Sequence, residues 1–118
     1  MPHEARFNVR KSPHGEGVVI VDVIGELSEE TDLAEFSGLV RDLVAQGRRR
    51  LVLNLAGTTF VNTRALGEFT QAHKRLRDRG GELKIAGANP DVWRVLEMIW
   101  LHRMITCYPD EKEAARAF

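Results

Sequence analysis

The stretch Leu51-Val-Leu-Asn-Leu-Ala-Gly-Thr-Thr-Phe-Val-Asn-Thr-Arg-Ala-Leu-Gly67 changes its periodicity half-way along. Leu51 to Leu55 is a short, nearly continuous apolar run, the pattern of a strand covered on both faces. Ala56-Gly57-Thr58-Thr59 reads as a loop. From about Thr63 to Arg79, the residues Leu66, Phe69, His73 and Leu76 recur at helical spacing, and Gly80-Gly81 closes that helix. A buried strand feeding a helix is the repeating unit of an α/β sheet, and the flanking segments read the same way. Downstream, Leu83 to Ala86 is a short strand and Gly87-Ala88-Asn89-Pro90 a turn. A third helix follows, with Val92, Val95, Leu96 and Ile99 as its core stripe. Met104 to Cys107 reads as a last strand, and Pro109, Asp110 and Glu111 open a terminal helix through Phe118.

Upstream, Leu33, Phe36, Val40, Leu43 and Val44 mark another helix. Ser28 is its expected N-cap, Glu29, Glu30 and Asp32 complement its dipole, and Gly47 stops it ahead of Arg48, Arg49 and Arg50. The arginine run reads as a complement to the negative helix end before it reads as an anion site. Val18 to Ile24, apolar apart from Asp22, predicts a strand covered on both faces and ended by Gly25. Phe7, Val9 and Lys11 alternate with Arg6, Asn8 and Arg10 as in a half-exposed edge strand, and Pro13, Gly15 and Gly17 turn the chain between the two. The order β-β-α-β-α-β-α-β-α predicts one α/β domain over residues 1–118. Its small mixed sheet has an N-terminal hairpin, then parallel strands joined by right-handed crossovers, with about four helices.

Composition narrows the function. The 118 residues carry 17 Lys+Arg against 17 Asp+Glu, and this balance argues against nucleic acid as the main partner. No apolar run approaches the ~20 residues of a membrane span, so no direct membrane insertion is expected. Met-Pro-His-Glu-Ala-Arg at the start has no apolar core of the kind a secretory signal needs. Cys107 is the one cysteine, which fits a reducing compartment, and the expectation is a cytoplasmic domain.

Catalytic motifs are missing. Gly15-Glu16-Gly17 precedes a strand instead of opening a helix, so it is no dinucleotide fingerprint, and no glycine loop ends in Lys-Ser or Lys-Thr. His3, His14, His73 and His102 lack metal-ligand spacing. His73, on the apolar side of its helix, reads as a satisfied boundary histidine. The expectations are no catalytic residue, no metal, no cofactor and no enzyme. Nucleotide binding has only one helix N-terminus to rest on.

What remains is the loop at Asn62 and Thr63. In an open α/β sheet, functional groups gather where a strand's carboxyl end passes into a helix. Asn and Thr are both good caps, which is one reading. The other is a phosphorylatable hydroxyl, because a helix N-terminus favours the charge a phosphate brings.

At these residues the chain resembles the STAS domain of bacterial anti-sigma factor antagonists, over about residues 17–118. Gly25-Glu26-Leu27, Leu53-Asn-Leu-Ala-Gly57, Phe60-Val-Asn-Thr-Arg-Ala-Leu-Gly67, Arg77-Asp-Arg-Gly-Gly-Glu-Leu83 and Leu96 to Leu101 carry the likeness, in order and spacing. The resemblance implies a STAS-like α/β fold and a partner switch. The unphosphorylated domain docks an anti-sigma factor that is also a serine/threonine kinase, phosphorylation ends docking, and a phosphatase resets it. Thr63 falls on the acceptor position, and Ser28, Asn62, Thr63, Arg64 and Ala65 form the partner-binding loop. The family usually has Asp where this chain has Asn62 and Ser28, and a small pair where it has Arg64 and Ala65. That makes the loop roughly three charges more positive than the pattern and offers Arg64 as partner to a phosphate on Thr63. Trp93 and Trp100, seven apart, are expected on one stripe of the third helix, either buried in a widened core or exposed to a partner or a second copy. Two other roles are implied for STAS-like chains, an accessory subunit of a lipid-transporting ABC system and a scaffold of a stress-signalling assembly. The acidic terminal helix Pro109 to Phe118 is closer to the antagonists.

Overall fold

The computed structural model describes residues 4–118, so His3 and the first half of the N-terminal hexapeptide lie outside the described residues. The elements are β1 (Ala5–Lys11), β2 (Val18–Leu27), α1 (Glu30–Ala45), β3 (Arg50–Asn54), β4 (Thr58–Val61), α2 (Thr63–Arg77), β5 (Glu82–Ala86), α3 (Pro90–Met98), a 3-10 turn (Leu101–Arg103), β6 (Cys107–Tyr108) and α4 (Glu111–Arg116). The strands form one mixed sheet in the order β1-β2-β3-β5-β6, with β4 pairing the far end of β2. β1 lies antiparallel on β2 at the edge, and the other pairings are parallel, as expected of a hairpin followed by crossovers.

Alternation along β2 separates two apolar layers. Val19, Val21 and Val23 face the main core with Phe36 of α1, Phe69 of α2 and Leu96 of α3. Val18 and Ile20 face a smaller layer closed by Ala114 and Ala115 of α4. Asp22 lies on that second face. There it accepts hydrogen bonds from Arg10 at 2.8 and 3.0 Å and from Asn54 at 2.8 Å, while Arg10 also reaches Glu111 at 2.7 Å. The Arg10 guanidinium therefore holds the Asp22 carboxyl below the usual carboxylate range, against the opposing effect of burial. Lys84, buried on the same face of β5, pairs with Glu82 at 3.0 Å and lies over the Phe118 and Tyr108 rings.

The structure corrects several expected boundaries. β2 does not end at Gly25 but continues to Leu27, because β4 supplies a new pairing partner for its last residues. β4 itself occupies part of the segment read as a loop. The last strand shrinks to Cys107–Tyr108, since Leu101–Arg103 forms a 3-10 turn that places Ile105 in the core. On α3, Val92 and Leu96 are buried and Val95 is half-buried, but Ile99 lies beyond the helix and is exposed.

His73 is a satisfied boundary residue. Its Nδ1 accepts the backbone N–H of Leu83 at 3.3 Å, which requires a bare nitrogen. Burial first, and then Arg77, push its pKa below the ordinary 6.5. The unfolded chain therefore takes up this proton more readily than the folded one. The resulting stability is complete above about pH 6.5 and is lost as pH falls through the lower folded value. Urea midpoints are expected to decline from pH 7 to pH 5, and His73→Gln should flatten that decline. An unchanged slope in the variant would remove His73 as its source.

Candidate functional site

The Thr63 corner is assembled from two connections that lie far apart in sequence. β2 pairs with β3 up to Asp22, and then its last residues pair with β4 through Gly25↔Thr58, Glu26↔Phe60 and Leu27↔Val61. The changeover is a bulge at Gly25, whose φ of 100° suits glycine and whose N–H donates to the Gly57 carbonyl at 2.9 Å. The buried Thr58 hydroxyl donates to the Val23 carbonyl at 2.7 Å and locks the start of β4. The β2–α1 and β4–α2 turns consequently emerge side by side.

Asn62 joins them. Its Oδ1 accepts the Ala65 N–H at 2.9 Å, capping α2, and its Nδ2 donates to the Ser28 carbonyl at 3.2 Å. The amide does what a carboxylate could not, donating to one loop and accepting from the other. The cap is thus Asn62, and Thr63 is the first residue of α2 with an exposed side chain.

The other expected members of the loop divide. Ser28 does not cap α1. The helix starts at Glu30 with Glu29 in the cap position, and the Ser28 hydroxyl donates to the Glu26 carboxylate at 2.6 Å. The extension of β2 to Leu27 moves the helix start along the chain. Arg64 is exposed but forms an ion pair with Glu30, so its charge is already engaged. Ala65 is 0% exposed and contributes its backbone N–H to the cap, with no side-chain surface to offer a partner. Sequence reading missed Phe60, an aromatic side chain 45% exposed on β4, and Glu26 and Glu29 on the facing turn. The β-branched Thr58-Thr59 followed by Phe60-Val61 was the available strand signal. Against one engaged cation, Glu26, Glu29 and Glu30 make the corner acidic.

Trp93 and Trp100 do not share a stripe. Trp93 is half-buried against the core, whereas α3 ends at Met98 and Trp100 stands 63% exposed in a left-handed conformation. Both rings meet His102, Trp93 edge-on at 5.6 Å and Trp100 stacked at 6.0 Å. Cys107 is half-buried, and burial pushes its thiol up to about 11, so it stays protonated at neutral pH and is a poor nucleophile. Among the described residues, no helix is long and apolar enough to cross a membrane.

These elements define a class: a mixed-sheet α/β domain in which a bulged strand and a capped helix bring two turns together beside the exposed Thr63. The chain belongs to the STAS domain family, whose sequence pattern matches residues 10–114. The anti-sigma F factor antagonist of Paenibacillus polymyxa is 31% identical over 103 residues, covering 86% of each chain. An anti-sigma factor antagonist from Mycobacterium paratuberculosis superposes with a TM-score of 0.84 at 20% identity, over 96% of this chain and 92% of that one. The Bacillus cell fate determinant SpoIIAA, solved in its phosphorylated form, superposes with a TM-score of 0.72 at 15% identity, over 96% of this chain and 100% of its own. At those identities the two superpositions establish the shared fold.

Proposed function

We propose that this domain is an anti-sigma factor antagonist that docks a kinase-type anti-sigma factor through the Thr63 corner and is released by phosphorylation of Thr63. The observation that carries the reading is the position of Thr63, exposed at the first residue of α2 while Asn62 does the capping. The likeness to the Paenibacillus antagonist supports the partner class, and the phosphorylated form of SpoIIAA supports the modification. A phosphate adds about −1.5 to −2 charges, which the helix N-terminus tolerates locally. The corner already carries Glu26, Glu29 and Glu30, so a partner matched to the unmodified surface meets a much stronger negative field without any refolding of the domain. A phosphatase restores the docking state, and the setting is the cytoplasm.

The test pairs tagged parent and Thr63→Glu proteins in affinity capture from the native lysate, followed by calorimetric titration of the captured anti-sigma factor. Thr63→Glu is expected to weaken binding about 10-fold or more, or about 1.4 kcal/mol, with an unchanged melting temperature because the cap is untouched. Equal affinity for both proteins would refute the switch. Capture of an ABC ATPase whatever residue 63 carries would replace it with a transporter accessory role.

A further inference from the structure

We infer that the strip formed by Met98, Ile99, Trp100 and Met104 is a self-association surface whose occupant is the same strip of a second copy of this chain. These four side chains are 72%, 44%, 63% and 55% exposed, and they fall within seven residues at the end of α3 and its following turn. Large apolar side chains crowded in this way mark an interaction site more often than a solvated surface. Trp and Met are also enriched where protein surfaces meet.

The backbone gives a second observation. Among the described non-glycine residues, Trp100 is the one with a positive φ, at 62°. Its N–H donates to the Glu97 carbonyl at 3.0 Å and its carbonyl accepts from Arg103 at 3.1 Å, so it occupies the left-handed stop after a helix that glycine normally fills. A bulky residue there costs free energy that glycine would not. The cost props the indole outward, stacked on His102 and covered on one side by the Arg103 guanidinium 5.4 Å from its centre.

Charge selects the occupant. The exposed charges along α3 and the turn are Asp91 and Glu97 against Arg94 and Arg103, a balanced set. An acidic protein, a basic protein or an anionic lipid surface gains no net attraction from such a rim. An identical strip does, because it carries exposed Glu97 three residues before Trp100 and exposed Arg103 three residues after it, so two copies that meet head to tail at Trp100 each offer the other a charge of opposite sign. The chain as a whole, with 17 charges of each sign, has no long-range self-repulsion to overcome. The surface lies at the junction between the end of α3 and the 3-10 turn, on a different segment of the chain from the β2–α1 and β4–α2 turns that present Thr63. Four side chains make a small contact, so the pairing belongs to the weak class of interfaces, below about 1,200 Å².

Sedimentation velocity from micromolar to millimolar concentration tests this on the intact chain. The parent protein is expected to show a reversible monomer–dimer equilibrium. Trp100→Gly, which relieves the left-handed strain, is expected to weaken dimerisation about 10-fold or more while melting no lower than the parent. Glu97→Arg should also weaken it, and adding Arg103→Glu should restore it. A monomer throughout the range would overturn the inference, as would a dimer indifferent to Trp100→Gly. So would a monomer that instead co-sediments with phosphatidylglycerol vesicles.

Discussion

Gly25→Ala is expected to destabilise the fold by about 3 kcal/mol or more, as left-handed strain and a collision with main chain act together. Gly25 has a φ of 100°, and a Cβ placed there would drive into the carbonyl oxygen of Glu4, the residue just before β1, a backbone atom with little freedom to retreat. Gly80→Ala is the proper control. It has a φ of 80° and nothing within 4 Å of a new Cβ, so strain alone should cost about 1–2 kcal/mol. The difference between the two urea midpoints isolates the collision. Gly25 is also where β2 changes partner from β3 to β4, so the damage should spread to the site. Faster hydrogen exchange at Phe60 and Val61 in Gly25→Ala, and not in Gly80→Ala, is the expected signature. Equal losses in the two variants would show that β1 can move away and that the bulge does not hold the corner.

Phe69→Ala is expected to cost about 3–5 kcal/mol, the range for a large aromatic removed from a packed core. The Phe69 ring is 0% exposed and meets Phe36 edge-on at 5.5 Å, and Phe36 in turn meets Phe7 at 5.9 Å. This aromatic chain ties α2, α1 and β1 together beneath the Thr63 corner. Domains of this kind have about 5–15 kcal/mol of stability in total, so the variant should be marginal at room temperature. Guanidinium or urea unfolding at low temperature measures the loss. A change under about 1 kcal/mol would mean that α2 can collapse into the gap, contrary to the close packing that governs protein interiors.

The parts of the fold that could be read along the chain are those whose pattern is local. In α1, the stripe Leu33, Phe36, Val40, Leu43 and Val44 is buried throughout, because helical spacing shows in any window of the sequence. Val18 to Ile24 was legible for a similar reason, since a run apolar apart from Asp22 has few alternatives to a covered strand, but the cover ends at Val23 and Ile24 is exposed. β4 was not legible. Only Thr58 and Val61 of its residues are buried, and its strand state depends on pairing with Gly25–Leu27, more than thirty residues upstream. The misplaced cap at Ser28 has the same origin, because the longer β2 delays α1.

The candidate site divides along the same line. The place of Thr63 at the start of a helix was already present in the residues Leu51 to Gly67, since apolar run, break and helix each leave a short-range signature, but the strand that delivers the chain to it is β4 and not the Leu51 to Leu55 run. The surroundings of Thr63 were not. That Arg64 pairs with Glu30, that Ala65 is buried, and that Asn62 holds the Ser28 carbonyl all depend on two turns brought together by the sheet. The left-handed Trp100 is of the same kind, because seven-residue spacing presumes a helix that continues, and this one stops at Met98. Local periodicity sets which segments become strands and helices, whereas contacts between distant segments set which side chains are left facing the solvent.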